Sequence, residues 1–194
     1  MFDYDDPFVL FDDWFEEAKK AEPRDPNAMT VSTIGGDGYP DSRVVLMKQI
    51  HERSFVFYTN SKSAKGQQLR QTPKAAANFY WKTLNRQVRI IGDIVKAPDE
   101  LADAYFNTRS MGSKIGAWAS QQSQPLKDRF ELEQQVAKLT EQYSDGKVPR
   151  PPHWYGYQLL PYKIEFWQDR PFRLHDRLRF SKSGDHWGKT RLYP

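Results

Sequence analysis

The sequence predicts a mainly β protein with inserted helices, an α+β chain organised as a closed or partly closed antiparallel barrel. Three observations carry this. About eight segments alternate or run apolar over strand lengths. They are joined as hairpins, without the regular strand–helix–strand rhythm of a parallel sheet. No glycine-rich dinucleotide fingerprint follows a strand, which argues against a doubly wound sheet. The length of 194 residues suits one domain, 1–194.

The first element is a helix over 7–21, "PFVLFDDWFEEAKKA". Phe8, Leu10, Phe11, Trp14, Phe15 and Ala18 fall on one stripe, and Pro7 suits the first turn. "EPRDPN" then breaks the pattern. "AMTVSTI" and "DSRVVLMKQI" form a hairpin across "GGDGYP", and "SFVFYTN" is a third strand. "SAKGQQLRQTP" is a short helix that Pro73 ends. "KAAANFYWK" and "RQVRIIGDIVKA" are two more strands. "PDELADAYFNTR" is a helix with acids in its first turn, "SKIGAWAS" is a second, and "PLKDRFELEQQVAKLTEQYS" is a long amphipathic third. After the loop "DGKVPRPPHW", three strands close the chain: "YGYQLLPYKIEFWQD", "FRLHDRLRFSKS" and "HWGKTRLYP".

Composition narrows the function. The chain is polar, with 38% hydrophobic residues, yet 14% are aromatic, which speaks against disorder. A small polar chain of this kind often completes its burial by oligomerising. A net charge of +4 fits anionic ligands. Acids are interspersed among the basic residues, so no nucleic-acid tail is indicated. The absence of Cys removes disulfides and thiolate metal sites, and no metal is expected. No segment is apolar over a membrane-spanning length and no secretory leader is visible, so the expected setting is the cytoplasm.

Four stretches carry candidate chemistry. In "RPFRLHDRLRF", read as a strand, Arg173, His175, Arg177 and Arg179 share one face. Leu174, Leu178 and Phe180 share the other, with Asp176 among them. The basic face is either a solvated edge or a wall of donors over an anionic ligand. In "SRVVLMK", Arg43 and Lys48 sit an odd offset apart and project to opposite faces, which suits two anionic sites. The plainer reading is two charges at the solvated ends of an apolar strand. In "YTNSKSAKGQQL", Ser61 or Ser63 caps the following helix and Lys65 falls in its first turn. That is either a phosphate site or an ordinary capped helix. In the fourth, Tyr105 and Arg109 share a helix face and Ser113 follows. Phenol, guanidinium and hydroxyl together can bind a phosphate monoester, or can be plain surface polarity.

Taken together, "DPNAM", "SRVVLMK", "VFYTN", "RQVRIIG", "YFNTR", "SKIGAWASQQS", "VPRPPHWYGY", "IEFWQ" and "FRLHDRLRF" resemble the pyridoxamine/pyridoxine 5'-phosphate oxidases, in family order from about Asp25 onward. The resemblance implies a split β-barrel homodimer with two FMN sites at the subunit interface, and a C-terminal segment of about 150–194 that serves dimerisation and the active site. It assigns Arg43 and Lys65 to the FMN phosphate, with Tyr58 and Thr59 nearby, and Gln87 to the isoalloxazine. It brings Gln122 and Ser123 from the partner subunit, and flanks the ring with Trp167 and Arg177. For the substrate it assigns Lys48, Tyr105, Arg109 and Ser113 to the 5'-phosphate. Arg173 and His175 lie over the pyridine ring as the catalytic pair.

The implied activity is oxidation of pyridoxine or pyridoxamine 5'-phosphate at C4'. FMN accepts the hydride and O2 the electrons, giving pyridoxal 5'-phosphate, hydrogen peroxide and, from the amine, ammonia. Two departures stand out. Ala64 occupies a position where the family commonly has a second basic residue, which removes one charge-assisted contact to FMN. The arm before the first helix is short, which leaves its role as a substrate cover open. The rivals are an oxidase of another aromatic substrate, of the phenazine-precursor type, and a non-enzymatic flavin or pyridoxal phosphate binder. The four-residue phosphate clamp favours the B6 substrate.

Overall fold

The computed structural model describes residues 1–194. Its eight strands form one antiparallel sheet: β1 (Ala28–Ile34), β2 (Pro40–His51), β3 (Ser54–Asn60), β4 (Lys74–Trp81), β5 (Arg86–Lys96), β6 (Trp154–Gln168), β7 (Asp176–Ser183) and β8 (His186–Leu192). The order is β3-β2-β1-β4-β5-β6-β7-β8, and a further pairing of β3 with β6 closes the first six into a barrel. The last two strands extend beyond the closure as a flap on β6.

Closure depends on β6, which is 15 residues long and pairs with β3, β5 and β7. Its first half zips to β3, from Asn60↔Trp154 to Phe55↔Leu159, and its second half to β7. A bulge at Tyr162 of β6, opposite Ile91 and Gly92 of β5, lets the pair bend. Gly92 is required there, because a Cβ would lie 2.0 Å from the Leu160 carbonyl oxygen.

Helix α1 (Pro7–Ala21) packs the barrel core. Asp6 caps it by accepting from the Phe8 N–H at 2.8 Å, and Pro7 opens it. The predicted stripe is the buried one: Phe8, Leu10, Phe11, Trp14 and Ala18 are buried, and Phe15 packs at the margin. Phe11 meets Phe55 at 4.9 Å and Phe79 at 5.2 Å, both edge to face, and Trp14 meets Phe166 at 5.3 Å. The aromatic share of the sequence goes largely into this core.

Four more helices follow: α2 (Ala64–Gln71), α3 (Asp99–Thr108), α4 (Met111–Ala119) and α5 (Arg129–Gln142). The helix expected over 125–144 begins only at Arg129, where Asp128 caps it, and none of its residues is buried. Its apolar side, with Phe130 and Val136, stays exposed. No helix is long and apolar enough to cross a membrane.

One strand was placed too early. The segment from Phe172 does not enter β7 until Asp176. Pro171 opens a single 3₁₀ turn, and Phe172 and Arg173 take φ of 60° and 62°. These left-handed values are incompatible with a strand. Arg173 and His175 therefore do not share a strand face with Arg177 and Arg179. Leu174 does not pack with Leu178 and Phe180 either: it is exposed, while those two are buried.

Candidate active site

The cationic residues gather where α2, α3 and α4 meet the end of β3. The cavity there has a volume of about 470 Å³ and is lined by Lys48, Tyr58, Thr59, Lys65, Tyr105, Arg109, Ser113 and Gln122, among others, with no carboxylate. Both phosphate-type clusters expected from sequence thus open into one space.

Lys65 lies at its floor. Ser63 is the N-cap of α2, its hydroxyl accepting from the Gly66 N–H at 3.3 Å. Gly66 allows the close turn, since a Cβ would lie 2.3 Å from the Ser61 carbonyl oxygen. The Lys65 ammonium donates to Thr59 Oγ1 and Gln122 Oε1, both at 2.9 Å, and to Ser63 Oγ at 3.4 Å. It is only 8% exposed. Burial, with the nearby Arg43 charge second, lowers its pKa to about 8. A buried cation that forms no ion pair, at a helix N-terminus, fits a bound phosphate.

Arg43 borders this floor. It donates to Thr33 Oγ1 at 2.6 Å and to Gln68 Oε1 at 3.1 Å, and pairs with Asp41. Lys48, on the opposite face of β2, holds its ammonium over the Tyr105 ring at 5.4 Å. The odd spacing of the two basic residues did separate them as expected.

The far wall is an aromatic stack. Tyr58 lies 4.6 Å from Tyr105 and 5.2 Å from Trp154, nearly parallel to each. The Tyr58 hydroxyl donates to the Leu101 carbonyl at 3.1 Å, so this side chain anchors α3. Arg109, the C-cap of α3, sits 5.0 Å above Trp154 and donates Nη2 to the Ser113 carbonyl at 2.8 Å. Its Nε is buried without a partner, and burial lowers its pKa. Such an unpaired donor fits an anion.

The ring-side residues form a second cluster. Register places Gln87, Trp167 and Arg177 directly opposite one another across β5, β6 and β7. Arg177 is fixed by Glu165, which accepts from its Nε at 3.0 Å and Nη2 at 2.7 Å. The His175 ring lies 4.7 Å from Trp167, and Arg173 stands exposed at the preceding turn.

One assignment needs correction: Gln122 was expected from a partner subunit, but from the loop after α4 it accepts from Lys65 and Thr59 of its own chain. Ser123, with a φ of 71°, lines a neighbouring groove with Pro125 and Leu126 that Gln122 also borders. Thr33, Gln68 and Glu165 were missed. Only Glu165, a lone acid in an apolar strand, carried a signal.

The two clusters lie toward opposite ends of β6. Thr59 pairs with Tyr155 near the start of β6, and Trp167 lies twelve residues further along that strand. At strand rise this is roughly 40 Å of path.

Residues 15–143 match the pyridoxamine 5'-phosphate oxidase model, and residues 154–194 match a model described as the pyridoxine 5'-phosphate oxidase C-terminal dimerisation region. The chain belongs to the pyridoxamine 5'-phosphate oxidase family. A pyridoxine/pyridoxamine 5'-phosphate oxidase of Caulobacter vibrioides is 58% identical over 190 residues, 98% of this chain and 86% of that protein. One of Azorhizobium caulinodans is 56% identical, over 98% and 91%. Among solved structures, PhzG from Burkholderia lata, in complex with tetrahydrophenazine-1-carboxylic acid, superimposes with a TM-score of 0.92 at 35% identity, over 99% of this chain and 94% of that one. An FMN-binding protein of Nostoc punctiforme shares the fold, with a TM-score of 0.78 at 16% identity over 97% and 98%. The stretch matched to the dimerisation region holds Trp167, Arg173, His175 and Arg177, while the residues lining the cation cavity fall within the preceding match.

Proposed function

We propose that this chain is an FMN-dependent pyridoxine/pyridoxamine 5'-phosphate oxidase, forming pyridoxal 5'-phosphate with O2 as acceptor. The observation that carries this reading is the carboxylate-free cavity that gathers Lys48, Tyr105, Arg109 and Ser113 beside the buried Lys65. When bound, FMN supplies the hydride acceptor and returns the electrons to O2.

The chain's own residues bind and orient. Lys65, Thr59 and Gln122, with Arg43 at the border, would hold the FMN phosphate. The Gln87–Trp167–Arg177 row would meet its ring system. Lys48, Tyr105, Arg109 and Ser113 would clamp the substrate phosphate remote from C4', so binding energy there is used for positioning. Arg173 and His175 would cover the pyridine ring and exclude water.

The separation along β6 supports a homodimer with shared sites. A second copy would bring its ring-side row to the first copy's cavity. The match to a dimerisation region supports this. The alternative, oxidation of a phenazine-type substrate, is favoured only by the likeness to PhzG.

The test uses purified protein with added FMN, in air, given pyridoxine 5'-phosphate, then the amine. Pyridoxal 5'-phosphate and peroxide appearing in equal amounts is the expected result. Flavin retained through gel filtration without turnover would move the reading to the phenazine-type alternative.

A further inference from the structure

His175 is held by more than its neighbours in sequence suggest. Its Nδ1 lies 2.9 Å from the Asp169 carboxylate and 3.3 Å from the backbone N–H of Arg170. These two contacts demand opposite things of one nitrogen. The carboxylate needs Nδ1 to carry a proton; the amide needs it to offer a lone pair. The carboxylate contact is shorter and charge-assisted, so it wins. The ring stacks on Trp167 at 4.7 Å, and Nε2 makes no hydrogen bond within the chain.

We infer that Asp169 is a positioning residue that fixes the tautomer of His175, keeping the proton on Nδ1 and presenting the Nε2 lone pair to the substrate. This rests on the reading of His175 as a substrate-contacting group. The arrangement contains its own alternative. Without the Asp169 carboxylate, the Arg170 N–H is the remaining partner of Nδ1. The ring then carries its proton on Nε2, and the outward nitrogen changes from acceptor to donor. The backbone of Asp169 is secured separately, its N–H donating to the Asn85 carbonyl at 3.0 Å, so the side chain can be changed without releasing the strand end.

The direct test is 15N NMR of histidine-labelled holoprotein, with the pH raised until the ring shifts no longer change, so that the two tautomers are read directly. The His175 signal is identified by its loss in His175→Gln. The expected result is Nδ1–H in the native protein and Nε2–H in Asp169→Ala. Asp169→Asn retains an acceptor oxygen and should keep Nδ1–H. In turnover of pyridoxine 5'-phosphate, Asp169→Ala should lower kcat/KM about tenfold, the effect of one misdirected hydrogen bond, with Asp169→Asn recovering most of it. FMN affinity should stay unchanged in both. An Nε2–H signal in the native protein, or the same tautomer in native and Asp169→Ala, overturns the inference whatever the substrate proves to be. A tautomer that switches while turnover of every B6 substrate is absent keeps the positioning role and rejects the oxidase reading instead.

Discussion

The cation cavity and the ring-side row are built in opposite ways. Lys65 is buried, capped into α2 and held by three side-chain oxygens before any ligand arrives. Arg173 is exposed at a turn where two consecutive non-glycine residues have positive φ, and Phe172 beside it is 93% exposed. The first region is finished within one chain. The second presents strained backbone and uncovered apolar surface, which is what a segment awaiting a partner surface has. The difference fits the proposed roles: fixed charge in the cavity for phosphate, and a row whose groups remain open to a partner surface.

The sharpest way to break this comparison is complementation. Lys65→Met disables the cavity and Arg173→Ala disables the row, so each should be inactive or nearly so. Unfolded together and refolded as a mixture, half of the dimers are mixed. Each mixed dimer has one intact site, restoring about a quarter of native activity. If the site lay within one chain, mixing would restore nothing. Taken singly, Arg173→Ala should lower kcat on the order of a hundredfold while leaving FMN affinity within about twofold, because it acts on the reacting end. Lys65→Met should do the reverse, weakening FMN about a hundredfold by removing charged hydrogen bonds to phosphate. It should also leave the apoprotein as stable as before or more stable, because a desolvated cation has gone. Fluorescence titration of FMN and thermal melts check both signs.

How much of this was legible before folding follows the same division. The barrel strands and α1 were readable because apolar periodicity survives in the final packing: Phe8, Leu10, Phe11 and Trp14 point where the stripe says. The cavity was partly readable, since a capping Ser before a Lys is a local signal. Its other members, Gln122 and Arg109, share the cavity with Lys65 only because α3 and α4 fold back, which no spacing encodes. The row was misread. Strand parity was extended through Pro171 to Arg173 and His175, although the proline and the left-handed pair after it break the parity. Nor did local pattern reveal that Gln87, Trp167 and Arg177 align, a fact of register across three strands.

The pH response sharpens the comparison, because only the cavity contains a cation with a large downward shift. The Lys65 pKa is lowered from 10.5 to about 8 in the folded chain. Below about pH 8 the folded state holds a penalised charge, and that penalty is relieved as pH rises from 8 toward the unfolded value. Apoprotein stability should therefore rise over this window relative to Lys65→Met, by up to the order of 3 kcal/mol. FMN affinity should move the other way. It is flat below pH 8, where Lys65 is charged with or without ligand, and falls about tenfold by pH 9 as binding must first recover the proton. Parallel stability and affinity curves would show that Lys65 does not meet the phosphate.

The smallest expected effect lies in the row. Arg173→Gly relieves one left-handed residue and should stabilise the apoprotein by about 0.5–1 kcal/mol, even as it removes the guanidinium and with it turnover. Glycine's extra freedom in the unfolded chain works against this gain. Arg173→Ala provides the control, because alanine keeps the strain and loses the same charge. A higher melting temperature for the glycine than for the alanine variant, at equal loss of kcat, would show that the turn holds its shape against the backbone's preference in order to present Arg173. Equal melting temperatures would mean that the turn is unstrained without a partner, and that its geometry is set only when two copies meet.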